Sequence, residues 1–141
     1  MKRGTPISEI MTKNVISLKT TDNLETAESL FKKHHIRHIP VCSGKKIIGM
    51  LSYTDLLRIS FADAVYEDEE SVDTMVYNMF SIEQVMAKNL ISVSPKTFIR
   101  DVAEILSKKE FHAIPVVDKG KLVGIVTTTD LINFLIQQYE D

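Results

Sequence analysis

At 141 residues with 44% apolar content, the chain is long enough for one compact domain or two small half-domains sharing a core, and too apolar to be mostly disordered. A formal charge of −2 lacks the basic excess that binding a phosphate backbone requires, which argues against nucleic acid, and no stretch approaches the roughly eighteen apolar residues of a membrane span. The single cysteine, Cys42, excludes an internal disulfide, and the opening "MKRGTPISEIMTKN" has no apolar signal run, so a reducing, cytoplasmic location with no membrane partner is expected.

In chain order, "TPISEIM" reads as one helical turn, with Thr5 as N-cap and Pro6 at the first helical position. "NVISL" is a short extended piece. Leu24, Ala27, Leu30 and Phe31 then fall at the spacing of an amphipathic helix with one buried face. "IRHIPV" reads as a strand in which Pro40 donates nothing to a ladder, which places it at an edge or a bulge. "SGKK" is a hairpin turn with Gly44 available for positive φ, and "IIGMLS" is a buried return strand. Gly49 inside that strand marks the close approach of another backbone or a ligand. A helix starts at "TDLL", passes the acidic run Glu67–Glu70, and resumes helical spacing with Val72, Met75, Val76, Met79 and Phe80. The acidic run reads as a solvated linker and the Met-rich stripe as packing surface against the module or a second subunit.

The same elements then return. Shifted by 75 residues, Ile7–Arg58 aligns with Ile82–Asn133 without a gap, and 15 of the 52 aligned positions are identical. "SIEQVM" offers Ser81 and Gln84 as a capping box, "NLISV" is extended and closed by Pro95, and Ile99, Val102, Ile105 and Leu106 repeat the amphipathic spacing. "HAIPVVD", "DKGK" and "LVGIVT" repeat the hairpin with Pro115, Gly120 and Gly124, and a last helix starts at "TDLI". The expected fold class is α/β (α+β), with two β-α-β-β-α repeats packed face to face and related by a pseudo-two-fold axis, because one unit of about fifty residues buries too little surface alone. Residues 1–60 form the first repeat, 61–80 a helical and acidic linker, and 81–141 the second repeat.

The duplicated pattern "VIS…HIPV…IIGMLSYTD" and "LIS…AIPVVD…LVGIVTTTD" closely resembles the cystathionine-beta-synthase (CBS) domain, and the tandem pair resembles a Bateman module. The resemblance covers both repeats and leaves out only the linker and the termini. It implies a regulatory sensor rather than an enzyme. Similar modules bind adenosine-type ligands (AMP, ADP, ATP or S-adenosylmethionine) in clefts between the repeats and pass the occupancy to an effector. They are usually homodimers of disc-like shape. The second repeat ends within a few residues of Asp141, so either the effector is a separate protein or the chain is a piece of a longer one.

Adenosine needs an apolar slot for its base, an acceptor for the ribose hydroxyls and donors for phosphate. A carboxylate suits the ribose because its oxygens accept from two neighbouring hydroxyls. By resemblance that carboxylate is Asp130 in the second repeat and Asp55 in the first, with Thr127 and Thr129, or Ser52 and Thr54, as hydroxyl donors beside it. The free N–H groups of a helix start also favour an anion. Ser, Thr and Asp at such a place are equally ordinary helix caps. The pattern assigns Thr129 chiefly to the cap, Asp130 to a ribose and Thr127 to the cleft wall.

The resemblance puts the adenine slot at Val15, Ile16, Leu90 and Ile91, residues that serve equally well as core. Phosphate is expected at the basic positions before the strand proline: Arg37 and His38 in the first repeat, but His112 and Ala113 in the second, so the clefts differ in phosphate affinity. Arg37 leads, since a guanidinium stays charged and engages two oxygens at once.

Tyr53, in the place of Thr128, either stacks on a base or blocks the first cleft. The run "HHIRH" lacks a continuous helix to put His34 and His38 on one face, which argues against a metal. Cys42 aligns with Val117 on an apolar strand and reads as a small buried hydrophobe rather than a nucleophile. The rival function is a ligand-free structural module used for dimerisation or protein interaction.

Overall fold

The computed structural model describes residues 4–63 and 77–140. The acidic run Glu67–Glu70 and the apolar residues Val72, Met75 and Val76 lie outside the described residues. The chain runs through a 3-10 turn (Ile7–Glu9), α1 (Leu24–His34), β1 (His38–Ser43), β2 (Lys46–Ser52), α2 (Tyr53–Asp63), α3 (Ile82–Val85), α4 (Ile99–Lys108), β3 (Ala113–Asp118), β4 (Lys121–Thr127) and α5 (Thr128–Glu140). This is the mixed helix and strand fold that the repeated pattern predicts.

Local chemistry sets most boundaries. Asn23 caps α1 by accepting the Thr26 N–H, and the helix ends where His35 turns left-handed at φ 53°. His34 and His38 therefore sit on different elements, as the sequence requires for a segment leaving a helix. Ser81 and Gln84 form the expected capping box around α3. The first turn differs from expectation: Pro6, not Thr5, precedes it, with no side-chain cap. Pro6 is extended and bridges Phe98, while the Thr5 carbonyl accepts from the Ile99 N–H at 2.9 Å, so the chain is held straight until Ile7.

Each hairpin turn has two residues. Gly44 takes φ 62° in one, and Lys119 and Gly120 take 52° and 80° in the other, the left-handed conformations that tight hairpins demand. In both hairpins the register slips by one residue, leaving Ile48 and Val123 unpaired. Pro40 and Pro115 lie beside these bulges. Each sits opposite a residue, Met50 or Ile125, that sends its own backbone bonds to the far side of the sheet. The missing proline N–H thus falls on the outer side of the hairpin, where it breaks no β1–β2 or β3–β4 bond.

The chain divides into two compact units, residues 16–89 and residues 1–15 with 90–141. These do not follow the sequence repeats. The opening segment of the first repeat joins the hairpin of the second, and the opening segment of the second joins the hairpin of the first. In the unit of residues 16–89, Leu18 bridges Val41 on one edge of the hairpin and Ala87 bridges Met50 on the other. In its counterpart, Val93 bridges Val116 and Thr12 bridges Ile125. Each outer bridge is closed by two backbone hydrogen bonds of 2.8–3.1 Å. The expected strands "NVISL" and "NLISV" are thereby reduced to single-residue parallel bridges.

The cores follow the same exchange. Leu18, Leu24, Ala27, Phe31, Ile39 and Leu51 bury themselves with Ile82 and Met86 in one cluster, and Ile99, Val102, Ile114, Val116 and Val126 bury themselves with Ile7 in the other. Fully burying one such isoleucine contributes about 1.5–3 kcal/mol. Tyr77, buried in the first cluster, donates its hydroxyl to Glu28 on α1. Cys42 on β1 is also buried, and burial pushes its thiol pKa up, which fits a packing role.

The strand glycines make the exchange sterically possible. A Cβ on Gly49 would overlap the Met86 side chain, and one on Gly124 would lie 2.5 Å from Met11 Sδ and 3.0 Å from the Thr12 carbonyl. The close approach expected at these positions is therefore that of an exchanged segment. Gly49→Ala should cost about 1–3 kcal/mol in chemical denaturation. In a Met86→Ala background that cost should shrink clearly, and a strictly additive double mutant would contradict the contact.

Candidate functional site

In both units the return strand runs into its helix with no intervening loop. Ser52 ends β2 and is at once the N-cap of α2, accepting the Asp55 N–H on Oγ at 3.0 Å. Thr127 plays the same part for α5, accepting the Asp130 N–H at 3.3 Å. The strand that carries the basic candidates lies directly alongside. His38 pairs with Ser52 and the Arg37 carbonyl accepts the Tyr53 N–H at 2.8 Å. Ala113 pairs with Thr127 and the His112 carbonyl accepts the Thr128 N–H at 3.0 Å. The structure thus gathers Arg37, His38, Ser52, Thr54 and Asp55 at one helix start, and His112, Thr127, Thr129 and Asp130 at the other.

The caps sit two residues earlier than the sequence assigns them. Thr127, not Thr129, caps α5, and Asp130 completes a reciprocal box by accepting the Thr127 N–H at 2.9 Å and its hydroxyl at 3.2 Å on Oδ2. The reason is that Thr127 still belongs to the strand, where its extended backbone aims the hydroxyl at the helix. Thr54 and Thr129 occupy the second helical position and are exposed. The N–H groups on either side of each are taken, while their own have no partner among the described residues. Each helix start therefore offers an open N–H and hydroxyl beside a half-buried carboxylate.

The two carboxylates differ. Asp130 is held by its own cap, whereas Asp55 pairs with Arg58 one turn on, Nη1 to Oδ1 at 3.3 Å. Sequence reading passed over Arg58, although an Asp and an Arg three apart on a helix are placed to meet. Tyr53, half-buried, packs its ring on Phe31 with centroids 5.2 Å apart and lies against the core cluster of its unit. Its counterpart Thr128 places its hydroxyl 3.4 Å from the His112 carbonyl.

The apolar candidates Val15, Ile16, Leu90 and Ile91 lie on the extended segments leading to Leu18 and Val93, away from the helix starts in sequence. Ile16 packs against its unit's core, Val15 and Leu90 are half-buried, and Ile91 is 37% exposed. The chain passes from unit to unit between Val15 and Ile16 and between Asn89 and Leu90. These four residues therefore stand at its two crossings.

Two copies of one α+β unit, each with a strand that feeds a capped Ser/Thr-x-x-Asp helix start, define a duplicated α+β fold. The sequence matches the CBS domain over residues 7–62 and again over 82–137, and the chain belongs to that family. It is 29% identical over 131 residues to the protein MJ1225 of Methanocaldococcus jannaschii, covering 92% of this chain and 42% of that one, so it spans under half of this relative's length. Among solved structures, CBSX2 in complex with AMP superposes with a TM-score of 0.78 at 22% identity over 96% of this chain and 99% of its own. The CBS pair of MJ0100 in complex with 5′-methylthioadenosine and S-adenosylmethionine gives 0.78 at 24% identity over 95% and 98%. At these identities the likeness establishes the fold. Among the described residues no helix is long and apolar enough to cross a membrane.

The capping box and the carboxylate charge are separable. Thr127→Ala should lower unfolding stability by about 1 kcal/mol, and Asp130→Asn by clearly less, because the amide oxygen still accepts the Thr127 N–H. Equal losses in urea denaturation would show that the charge of Asp130 is itself needed for the cap.

Proposed function

We propose that the chain is a non-catalytic regulatory module that senses adenosine nucleotides, binding AMP, ADP, ATP or a related adenosyl ligand and regulating a separate effector protein from the cytoplasm. The observation that carries the reading is the repeated helix start, where a half-buried carboxylate stands beside an open N–H and hydroxyl. Asp130 and Asp55 take the ribose hydroxyls, while Thr127, Thr129, Ser52 and Thr54 supply polar contacts. Arg37, His38 and His112, on the adjoining strand ends, take phosphate. Val15, Ile16, Leu90 and Ile91 supply apolar contacts to adenine. The adenosine ligands of CBSX2 and MJ0100 support the ligand class.

A second observation favours self-association. On α5, Ile132, Leu135, Ile136 and Tyr139 form an exposed apolar stripe at positions i, i+3, i+4 and i+7, and Leu57 of α2 is exposed at the position matching Ile132. We read this stripe as the face on which a second copy docks, giving a homodimer. In the rival reading, dimerisation or protein interaction is the whole function.

A thermal-shift screen with AMP, ADP, ATP and S-adenosylmethionine separates the two. A ligand at one hundred times its dissociation constant should stabilise the chain by about 2.7 kcal/mol. Asp130→Asn should remove a large part of that shift with little change in the unliganded melting point. No shift with any of the four, from a protein that sediments as a dimer, would leave only the structural reading.

A further inference from the structure

We infer that the two helix starts sort adenosine ligands by charge and that Arg58, acting with Asp55, sets the difference. This rests on the adenosine-binding reading above. At matched positions, the first site carries Arg37, His38 and Arg58 around Asp55, whereas the second carries His112, Ala113 and Asn133 around Asp130. The first site thus has Arg37 on the adjoining strand end and Arg58 paired with Asp55, and no lysine or arginine occupies the corresponding positions in the second.

The pairing sharpens the contrast. Arg58 Nη1 lies 3.3 Å from Asp55 Oδ1, so the carboxylate that meets the ribose has its own counter-ion and does not repel an approaching phosphate. The Arg58 side chain is 73% exposed, which leaves its remaining N–H donors available to an anionic ligand. Among the described residues Asp130 has no such cation. Its Oδ2 is held by the neutral Thr127 N–H and hydroxyl, and its negative charge stays on the site. A polyphosphate is favoured at the first site, and a ligand uncharged or cationic at its 5′ end is favoured at the second.

The test is isothermal titration of the full chain at low ionic strength with ATP, AMP, 5′-methylthioadenosine and S-adenosylmethionine. The first site is read in an Asp130→Asn background and the second in an Asp55→Asn background. Arg58→Asn should weaken ATP at the first site by about tenfold and leave the uncharged 5′-methylthioadenosine within about twofold. The reciprocal Asn133→Arg should strengthen ATP at the second site and weaken S-adenosylmethionine there. Loss of ATP and 5′-methylthioadenosine to the same degree in Arg58→Asn, or no change in either, overturns charge sorting while the adenosine reading stands. A native chain that binds none of the four probes overturns both. The melting temperature of Arg58→Asn should match the native chain, because an exposed pair of this kind adds little stability.

Discussion

Neither hairpin in this chain is complete by itself. A two-stranded ribbon has two open edges and too little apolar surface to stand alone in water. Here each hairpin is closed on one side by its own repeat, through Leu18 or Val93, and on the other by the opening segment of the other repeat, through Ala87 or Thr12. Ile82 and Met86 go with one exchange and Ile7 and Met11 with the other. The glycines at 49 and 124 are the condition for it, since any side chain there would occupy the space of the exchanged methionine. Exchange makes each repeat's core depend on the other, so neither repeat has a complete fold of its own.

The candidate site follows from that constraint. The β2 and β4 strands, fixed on both edges, end at Ser52 and Thr127, and the helix begins on the very next residue. With no loop between, the strand direction aims the capping hydroxyl and the bulge-pinned register places His38 and Ala113 opposite it. Capping and ligand binding are therefore not alternatives. One residue, Ser52 or Thr127, spends its side chain on the cap. The residue two further on keeps its N–H and hydroxyl open, and the aspartate proposed to take the ribose follows it, joined to the cap at Asp130 and to Arg58 at Asp55.

Much of this is legible in the sequence because it is local. Apolar spacing fixes the two amphipathic helices, Gly44 and Gly120 fix the hairpin turns, Pro40 and Pro115 fix the outer edge, and Ser81 with Gln84 fixes the capping box of α3. The exchange is not legible, for a physical reason: "MTKN" and "MAKN" are nearly alike, as are "IIGM" and "LVGI", so either opening segment satisfies either hairpin by composition. The cap position is hidden in the same way, because three consecutive threonines have equal propensity and only the strand's end distinguishes Thr127. The contact of Tyr53 with Phe31 joins two elements and so is not legible locally, and Arg58 stands out only once its distance to Asp55 is known.

The central claim is that Asp55 and Asp130 mark two ribose sites built on one plan. Equilibrium dialysis with labelled AMP at saturating concentration tests it most directly. Binding is expected at both sites in the native chain, at one in either Asp55→Asn or Asp130→Asn, and at neither in the double variant, with all four proteins folded by circular dichroism. Binding of AMP by the folded double variant with native affinity and stoichiometry would contradict it.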